Sequence, residues 1–176
     1  MERFEIVDSN GKPTGKTISL EELKKRRGLP NGEFLQVAKV AIINKNNQIL
    51  LQKRSMEKDV NPGQWGLCGG KVNFEESALS AVVRETIEEI GITLDEDELE
   101  YLCKYENGRS IFIIYYIRKD VDIEKCKLQA EEVDRLQYFD LDQVVNLDTE
   151  GTEWLADLNK RIKEENNNVR ESDKSR

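Results

Sequence analysis

Apolar and polar residues alternate over Phe4 to Val7, which predicts a short strand running into the turn signal Asp8-Ser9-Asn10-Gly11. Ser19-Leu20-Glu21-Glu22 then fits a capping box, in which a serine hydroxyl and a glutamate three residues on satisfy each other's backbone N–H groups. A short helix is predicted to open there. Val37 to Ile43 is β-branched and apolar, Asn44 to Asn47 supplies a turn, and Gln48 to Arg54 alternates imperfectly, so a hairpin with one well-buried strand follows. From Ser77 to Ile90 the apolar positions Leu79, Val82, Val83, Ile87 and Ile90 recur at helical spacing, and Gly91 stands where a helix C-terminus favours glycine. Strands are predicted at Leu99 to Lys104, Ile111 to Ile117 and Arg135 to Phe139, with Asn107-Gly108 turning between the first two. Asp140 is expected to cap a short helix through Val145. A last amphipathic helix over Thr152 to Glu165 would turn Trp154, Leu155, Leu158 and Ile162 inward. Asn166 to Arg176 holds one valine among polar residues, the pattern of a frayed tail. Strands interleaved with helices predict the α/β class around a mixed sheet, without internal repeats and without a linker that would divide the chain.

The length of 176 residues suits one compact domain, and 38% hydrophobic residues are enough for one ordinary core. Net charge is −8, from 27 basic against 35 acidic residues, which disfavours binding to nucleic acid polymers and to anionic membranes. The chain contains no histidine, so imidazole bases, Ser-His-Asp and Cys-His arrangements and histidine-ligated zinc are excluded. Acid–base chemistry falls to carboxylates, lysine, tyrosine or metal-bound water. Three cysteines, Cys68, Cys103 and Cys126, include no C-x-x-C pair and fit a reducing, cytoplasmic setting. No signal-peptide pattern stands at the N-terminus and no apolar run approaches the ~20 residues of a membrane span.

Within the strongest predicted helix, Glu85, Glu88 and Glu89 fall at i, i+3 and i+4 and so share one face. Like charges at that spacing oppose the helix by a few tenths of a kcal/mol per pair, and Arg84 is the one basic residue immediately beside them. Two readings are open for the three glutamates alone: a solvated acidic face, or hard oxygen ligands for a divalent cation such as Mg²⁺ or Mn²⁺. The preceding Trp65-Gly66-Leu67-Cys68-Gly69-Gly70 brings a strand end into a glycine pair where backbone can approach a ligand, and Glu76 stands at the helix start.

Gly70, Glu76 and then Arg84-Glu85-Thr86-Ile87-Glu88-Glu89-Ile90-Gly91-Ile92 resemble the Nudix box, G-x5-E-x7-R-E-U-x-E-E-x-G-U with U aliphatic. Every polar and glycine position is filled. Thr86 replaces the first aliphatic U, and Glu75 stands where many members carry glycine. The resemblance covers 23 residues directly and about Phe34 to Val145 as a domain. It implies an α/β/α sandwich around a mixed β-sheet, divided into a leader strand and helix over 1–33, a Nudix domain over 34–165 and a polar tail over 166–176. It also implies Mg²⁺-dependent hydrolysis, with Mn²⁺ as the alternative cation, of a pyrophosphate linkage in a nucleoside diphosphate derivative or a related small pyrophosphate. Carried over by position, Glu85, Glu88, Glu89 and the Gly69 carbonyl would be metal ligands, Arg84 would orient a glutamate, and Glu76 would be a carboxylate behind the ligands. No histidine is required for such chemistry.

Outside the box, Glu132 resembles an additional glutamate that serves as base or metal ligand in some members; a surface acid at a loop end is the competing reading. Arg54 and Lys58, in a basic run entering the site, are candidates for contact with substrate phosphates. The leader, Gln52 to Ser55 and Pro62-Gly63 are similar to the subgroup that includes isopentenyl-diphosphate isomerases, with Cys68 near that enzyme's catalytic cysteine. An isomerase depends on histidines that this chain lacks, so hydrolysis is the expected chemistry and Cys68 is expected to be a small buried filler. A catalytically silent ligand-binding module is the other alternative. The expected partner is a small-molecule pyrophosphate, with a homodimer as an open expectation.

Overall fold

A computed structural model describes residues 2–26 and 28–174. The sequence expectations for residues 1 and 27 of the leader and 175–176 of the tail lie outside the described residues.

The first expected strand, β1 (Arg3–Val7), pairs antiparallel with β2 (Pro13–Ser19) in a separate two-stranded sheet. Nothing in the sequence marks β2: it exposes four of its first residues in a row and contains Pro13 and Gly15, so pairing rather than burial holds it. The capping box forms as expected at α1 (Leu20–Arg26), with the Glu22 N–H donating to Ser19 Oγ at 3.1 Å and the Ser19 N–H to Glu22 Oε2 at 2.9 Å.

The main sheet contains β3 (Leu35–Ile43), β4 (Gln48–Arg54), β5 (Trp65–Gly66), β6 (Cys68–Lys71), β7 (Glu100–Asn107), β8 (Ser110–Arg118) and β9 (Val133–Asp140). Its central path runs β5-β4-β3-β8-β7, with β6 on β3 and β9 on β4. β3 and β8 are parallel and the other pairs antiparallel, so the sheet is mixed. β3 reads as an almost unbroken apolar run because both of its faces are covered. Ala38, Val40 and Ile42 pack with Ala81, Val82 and Ile90 of α2 (Ala78–Ile90), whereas Ala41 and Ile43 pack with Leu155, Leu158 and Ile162 of α3 (Leu155–Lys174). Helices therefore lie on both faces of the sheet, the expected α/β/α sandwich. Each fully buried leucine or isoleucine of these layers contributes roughly 1.5–3 kcal/mol.

In α2, Ser77 caps the N-terminus through Oγ and Gly91, at φ 74°, closes the C-terminus by donating to the Ile87 carbonyl. The inward stripe differs from expectation. Ile87 is 44% exposed, while Thr86 and Glu89 are buried, with the Thr86 hydroxyl satisfied by the Val82 carbonyl at 2.7 Å. Two further expectations are corrected. Asp140 caps no helix: it ends β9 and its carboxylate accepts from Gln48 Nε2, and a single 3-10 turn follows at Val144–Asn146. The polar tail is helical rather than frayed as far as Lys174, although packing stops at Ile162. The Arg161–Glu165 pair adds i,i+4 support just before the tail, whose Asn166, Asn167 and Asn168 are themselves weak helix formers. Among the described residues no helix is long and apolar enough to cross a membrane.

Candidate active site

The site starts from a backbone contact. Gly70 and Gly69 of β6 lie opposite Ala38 and Lys39 of β3, with Gly69 at φ 136°. A Cβ at Gly69 would collide with the Ala38 carbonyl, and one at Gly70 would collide with the Glu85 carboxylate. Gly69 is therefore required by close backbone approach, and Gly70 keeps the ground in front of Glu85 clear.

Arg84 organises the carboxylates. Its Nε and Nη2 bind Glu76 at 2.8 and 2.9 Å, Nη1 reaches Glu85 at 2.8 Å and Glu88 at 3.2 Å, and Nη2 also donates to the Lys71 carbonyl at 3.0 Å. The bidentate hold by Glu76 fixes the guanidinium plane, and Glu76 is itself fixed by the Asn73 N–H at 2.9 Å. Hydrogen bonding to Glu76 raises the Arg84 pKa further above its ordinary value against the effect of burial. Burial pulls Glu76 upward, but the Arg84 and Asn73 hydrogen bonds outweigh it and the group sits below the usual carboxylate range. In Glu85 burial wins over the same arginine, and the pKa is raised.

Glu89 is set apart. It is 4% exposed, and its Oε2 accepts from the Gly69 N–H and from Gln52 Nε2, both at 3.0 Å. Burial, assisted by the charge of Glu85, pushes its pKa up to about 7 against those two hydrogen bonds. The Gln52 amide donates to Glu89 while its own carbonyl oxygen stays buried without a partner among the described residues. An unpaired buried acceptor costs about 1–3 kcal/mol, so this arrangement is held against stability.

Glu85, Glu88 and Glu89 line an open cavity of about 550 Å³, together with Gly69, Gly70, Lys71, Arg54, Lys58 and Glu132. All of the residues singled out in the sequence reach this cavity except Glu76 and Arg84, which stand behind it, and Cys68. Lys58 is ion-paired with Glu132 at 2.5 Å, and Arg54 donates to the Val60 carbonyl at 3.1 Å. Cys68 is 1% exposed, and burial followed by the charge of Glu89 holds its thiol well above the usual range. Among the described residues no three carboxylate or cysteine side chains close into a cation cage: Arg84 lies between Glu85 and Glu88, and Glu89 points inward. The donor set nonetheless fits a hard cation. Glu85, Glu88 and Glu89 offer carboxylate oxygens at the cavity, the Glu89 Oε1 carries neither of its two hydrogen bonds, and Gly70 leaves the space that a side chain would fill.

Four elements escaped the sequence reading. Gln52 looked like a polar outlier in an imperfectly alternating strand. Lys39, a charge inside an apolar run, was the readable signal of a paired buried group. It meets Glu150, which Arg54 also approaches at 3.8 Å, beside a second cavity of about 210 Å³ walled by Tyr105, Phe112 and Trp154. Lys71 lies between the two cavities and lines both, and burial, with the nearby Lys58, lowers its pKa.

Comparison with known proteins gives concordant results. Residues 34–162 match the family described as NUDIX domain. An uncharacterized Nudix hydrolase of Listeria innocua is 30% identical over 152 residues, covering 86% of this chain and 87% of the relative. An isopentenyl-diphosphate Delta-isomerase of Pectobacterium atrosepticum is 27% identical over 143 residues, covering 79% and 76% respectively. The crystal structure of DR0079 from Deinococcus radiodurans shares the fold with a TM-score of 0.68 at 17% identity, over 90% of this chain and 98% of that one.

Proposed function

The chain belongs to the NUDIX family, and from that premise we propose that it is a Mg²⁺-dependent hydrolase, with Mn²⁺ as a substitute cation. Its substrate is a nucleoside diphosphate derivative or a related small pyrophosphate, cleaved at the pyrophosphate linkage. One observation carries the reading: the Arg84 clamp holds a repulsive set of carboxylates at the edge of a cavity beside the buried Glu89.

Glu85, Glu88, Glu89 and the Gly69 carbonyl are the residues that would hold the cation. When bound, it supplies charge neutralisation at the phosphate oxygens and a lowered pKa for an attacking water. Arg84 acts by position, keeping Glu85 and Glu88 aimed while Glu76 fixes its guanidinium. Arg54 and Lys58, which line the same cavity, neutralise the substrate's phosphate charge. Glu132 accepts the proton of the attacking water, and its ion pair with Lys58 holds the carboxylate in place at the cavity.

The isomerase-like alternative takes support from the Pectobacterium relative, but the place of Cys68 argues against it. A thiol 1% exposed and absent from the cavity walls has no route to a substrate. A silent binding module would have no use for a complete set of box carboxylates. All three thiols are free, which agrees with a cytoplasmic location.

The test is phosphate or nucleoside monophosphate release across dinucleotides, nucleotide sugars, nucleoside triphosphates and small pyrophosphates. Turnover is expected with Mg²⁺, lost in excess chelator and restored by added metal. Turnover that continues undiminished in chelator overturns the cation assignment, and binding without turnover across the panel favours the silent module.

A further inference from the structure

A cation that lines a cavity of phosphate-binding character without a carboxylate partner is available to an anionic ligand. Lys58 is paired with Glu132 and Arg54 stands near Glu150, whereas Lys24 and Lys71, which line the same cavity, form no ion pair among the described residues. Their placement depends on the N-terminal leader. Lys71 follows Gly69-Gly70 in β6, its ammonium lies over the Phe4 ring at 5.8 Å, and its carbonyl accepts from Arg84. Phe4 is 3% exposed and set in an apolar cluster that joins Ile6, Ile18 and Leu29 of the leader to Leu35 of β3. The strand that carries it is bonded to the loop before α2: the Phe74 N–H donates to the Arg3 carbonyl at 2.7 Å, and Phe4 bridges to Asn73. On α1, Leu20 and Lys24 stand four residues apart and so share a face, and both line the cavity. Lys25 lies one step round the helix and pairs with Glu21 at 2.6 Å.

We propose that the leader is part of the site, and that Lys24 and Lys71 form an anion subsite for the phosphate at the non-reacting end of the substrate. The identity of the ligand rests on the pyrophosphate reading; the place of the subsite rests on the geometry alone. Phe4 is its positioning residue, supporting the Lys71 ammonium from below. Glu2, on the same wall, opposes an anion and supplies a test of sign.

The experiment is calorimetric titration of the full chain with imidodiphosphate, whose P–N–P bridge resists hydrolysis, with and without Mg²⁺. The wild type is expected to bind. Lys71→Ala and the stem-preserving Lys71→Met should each weaken binding roughly 10-fold, and Lys24→Ala roughly 3- to 10-fold. Glu2→Gln should tighten it about 2- to 5-fold, and Lys25→Ala should leave it unchanged. Melting curves of each variant establish that the fold is kept. Wild-type affinity in both Lys24→Ala and Lys71→Ala overturns the proposal, as does absence of binding to the wild type under both conditions. Because the readout is binding, an inactive substrate panel would overturn the hydrolase reading and leave this one standing, and the reverse also holds.

Discussion

Two charge clusters flank the short strand Cys68–Lys71 and are built in opposite ways. Glu76, Arg84, Glu85 and Glu88 come from one loop and the helix it opens, and Glu85 and Glu88 face a cavity while Glu76 and Arg84 hold them from behind. Lys39, Arg54 and Glu150 come from β3, the end of β4 and the loop before α3, with Lys39 and Glu150 separated by 111 positions. Within that second cluster Lys39 and Glu150 close on each other. The Glu150 carboxylate lies against Gly66, where a Cβ would collide with it, and the Glu150 backbone N–H is tied to the Trp65 carbonyl at 3.0 Å. A buried pair with its partner in place is a structural closure, whereas acids held apart by a shared arginine are prepared for something that is not protein. Substitutions in the two clusters should therefore move different assays.

Glu89→Gln should give the largest effect, and in opposite directions in two assays. The change keeps size and removes a charge from a cation site, so turnover at saturating Mg²⁺ should fall on the order of 10²-fold or more. Stability without metal should rise. The folded pKa of about 7 lies above the ordinary value of 4.5, so the native state binds a proton that the unfolded chain releases between those limits. The contribution of Glu89 is therefore most favourable below the unfolded pKa and is lost as pH rises toward 7, a cost on the order of 3 kcal/mol. Melting temperatures of the metal-free pair should diverge from pH 5 to pH 8, with the variant the more stable. Parallel curves together with normal turnover would remove Glu89 from the site.

The Lys39–Glu150 pair should behave in the reverse sense. Both side chains are largely buried, at 10% and 13% exposure, so Glu150→Ala leaves an uncompensated ammonium and should cost about 3 kcal/mol in a urea titration. Adding Lys39→Met to that variant should recover most of the loss, because an apolar stem of similar length then fills the same space. A single substitution costing less than about 1 kcal/mol would mean that water reaches the pair, and the contrast with the first cluster would fail.

The same contrast explains what was legible in the sequence. Helix α2 with its two caps, the glycine pair and the carboxylate set could be read because their determinants lie within one short segment and local rules of spacing and capping apply. The interior of the sandwich was readable from largely apolar runs such as Val37 to Ile43, broken only by Lys39. Glu150 was not readable, since nothing near it in the chain marks an acid that will meet a lysine from a distant strand. Lys24 gave no sign either: its place at the cavity goes with the docking of β1 on the loop before α2, where Arg3 and Phe4 meet Phe74 and Asn73 from a distant part of the chain. Thr86 and Ile87 exchanged their expected places because the stripe was read from hydrophobicity, whereas the helix turns its small threonine, with a satisfied hydroxyl, toward the sheet. The continued helix over 166–174 has neither a packing face nor a run of strong helix formers behind it, since Asn166, Asn167 and Asn168 are weak ones, so nothing local marked it.

The smallest expected effect tests the local cluster at its weakest point. Glu75 has φ 63° in the turn in which the Glu76 N–H donates to the Asn73 carbonyl at 3.1 Å, a left-handed position that favours glycine. Its side chain is exposed and makes no hydrogen bond or ion pair among the described residues, so nothing there offsets the conformational strain. The left-handed region costs a residue with a Cβ roughly 1–2 kcal/mol. Glycine would remove that strain but loses roughly 0.5–1 kcal/mol more backbone entropy on folding. Glu75→Gly should therefore stabilise the chain by about 0.5 kcal/mol, a rise of about 1–2 °C in melting temperature for a protein of this size. Turnover and imidodiphosphate affinity should stay within about 2-fold of wild type, because Glu76 is held independently by Arg84 and by the Asn73 N–H. A change in turnover beyond that range, without a change in stability, would show that the strained turn sets the aim of Glu76, and would tie the Arg84 clamp to backbone conformation as well as to charge.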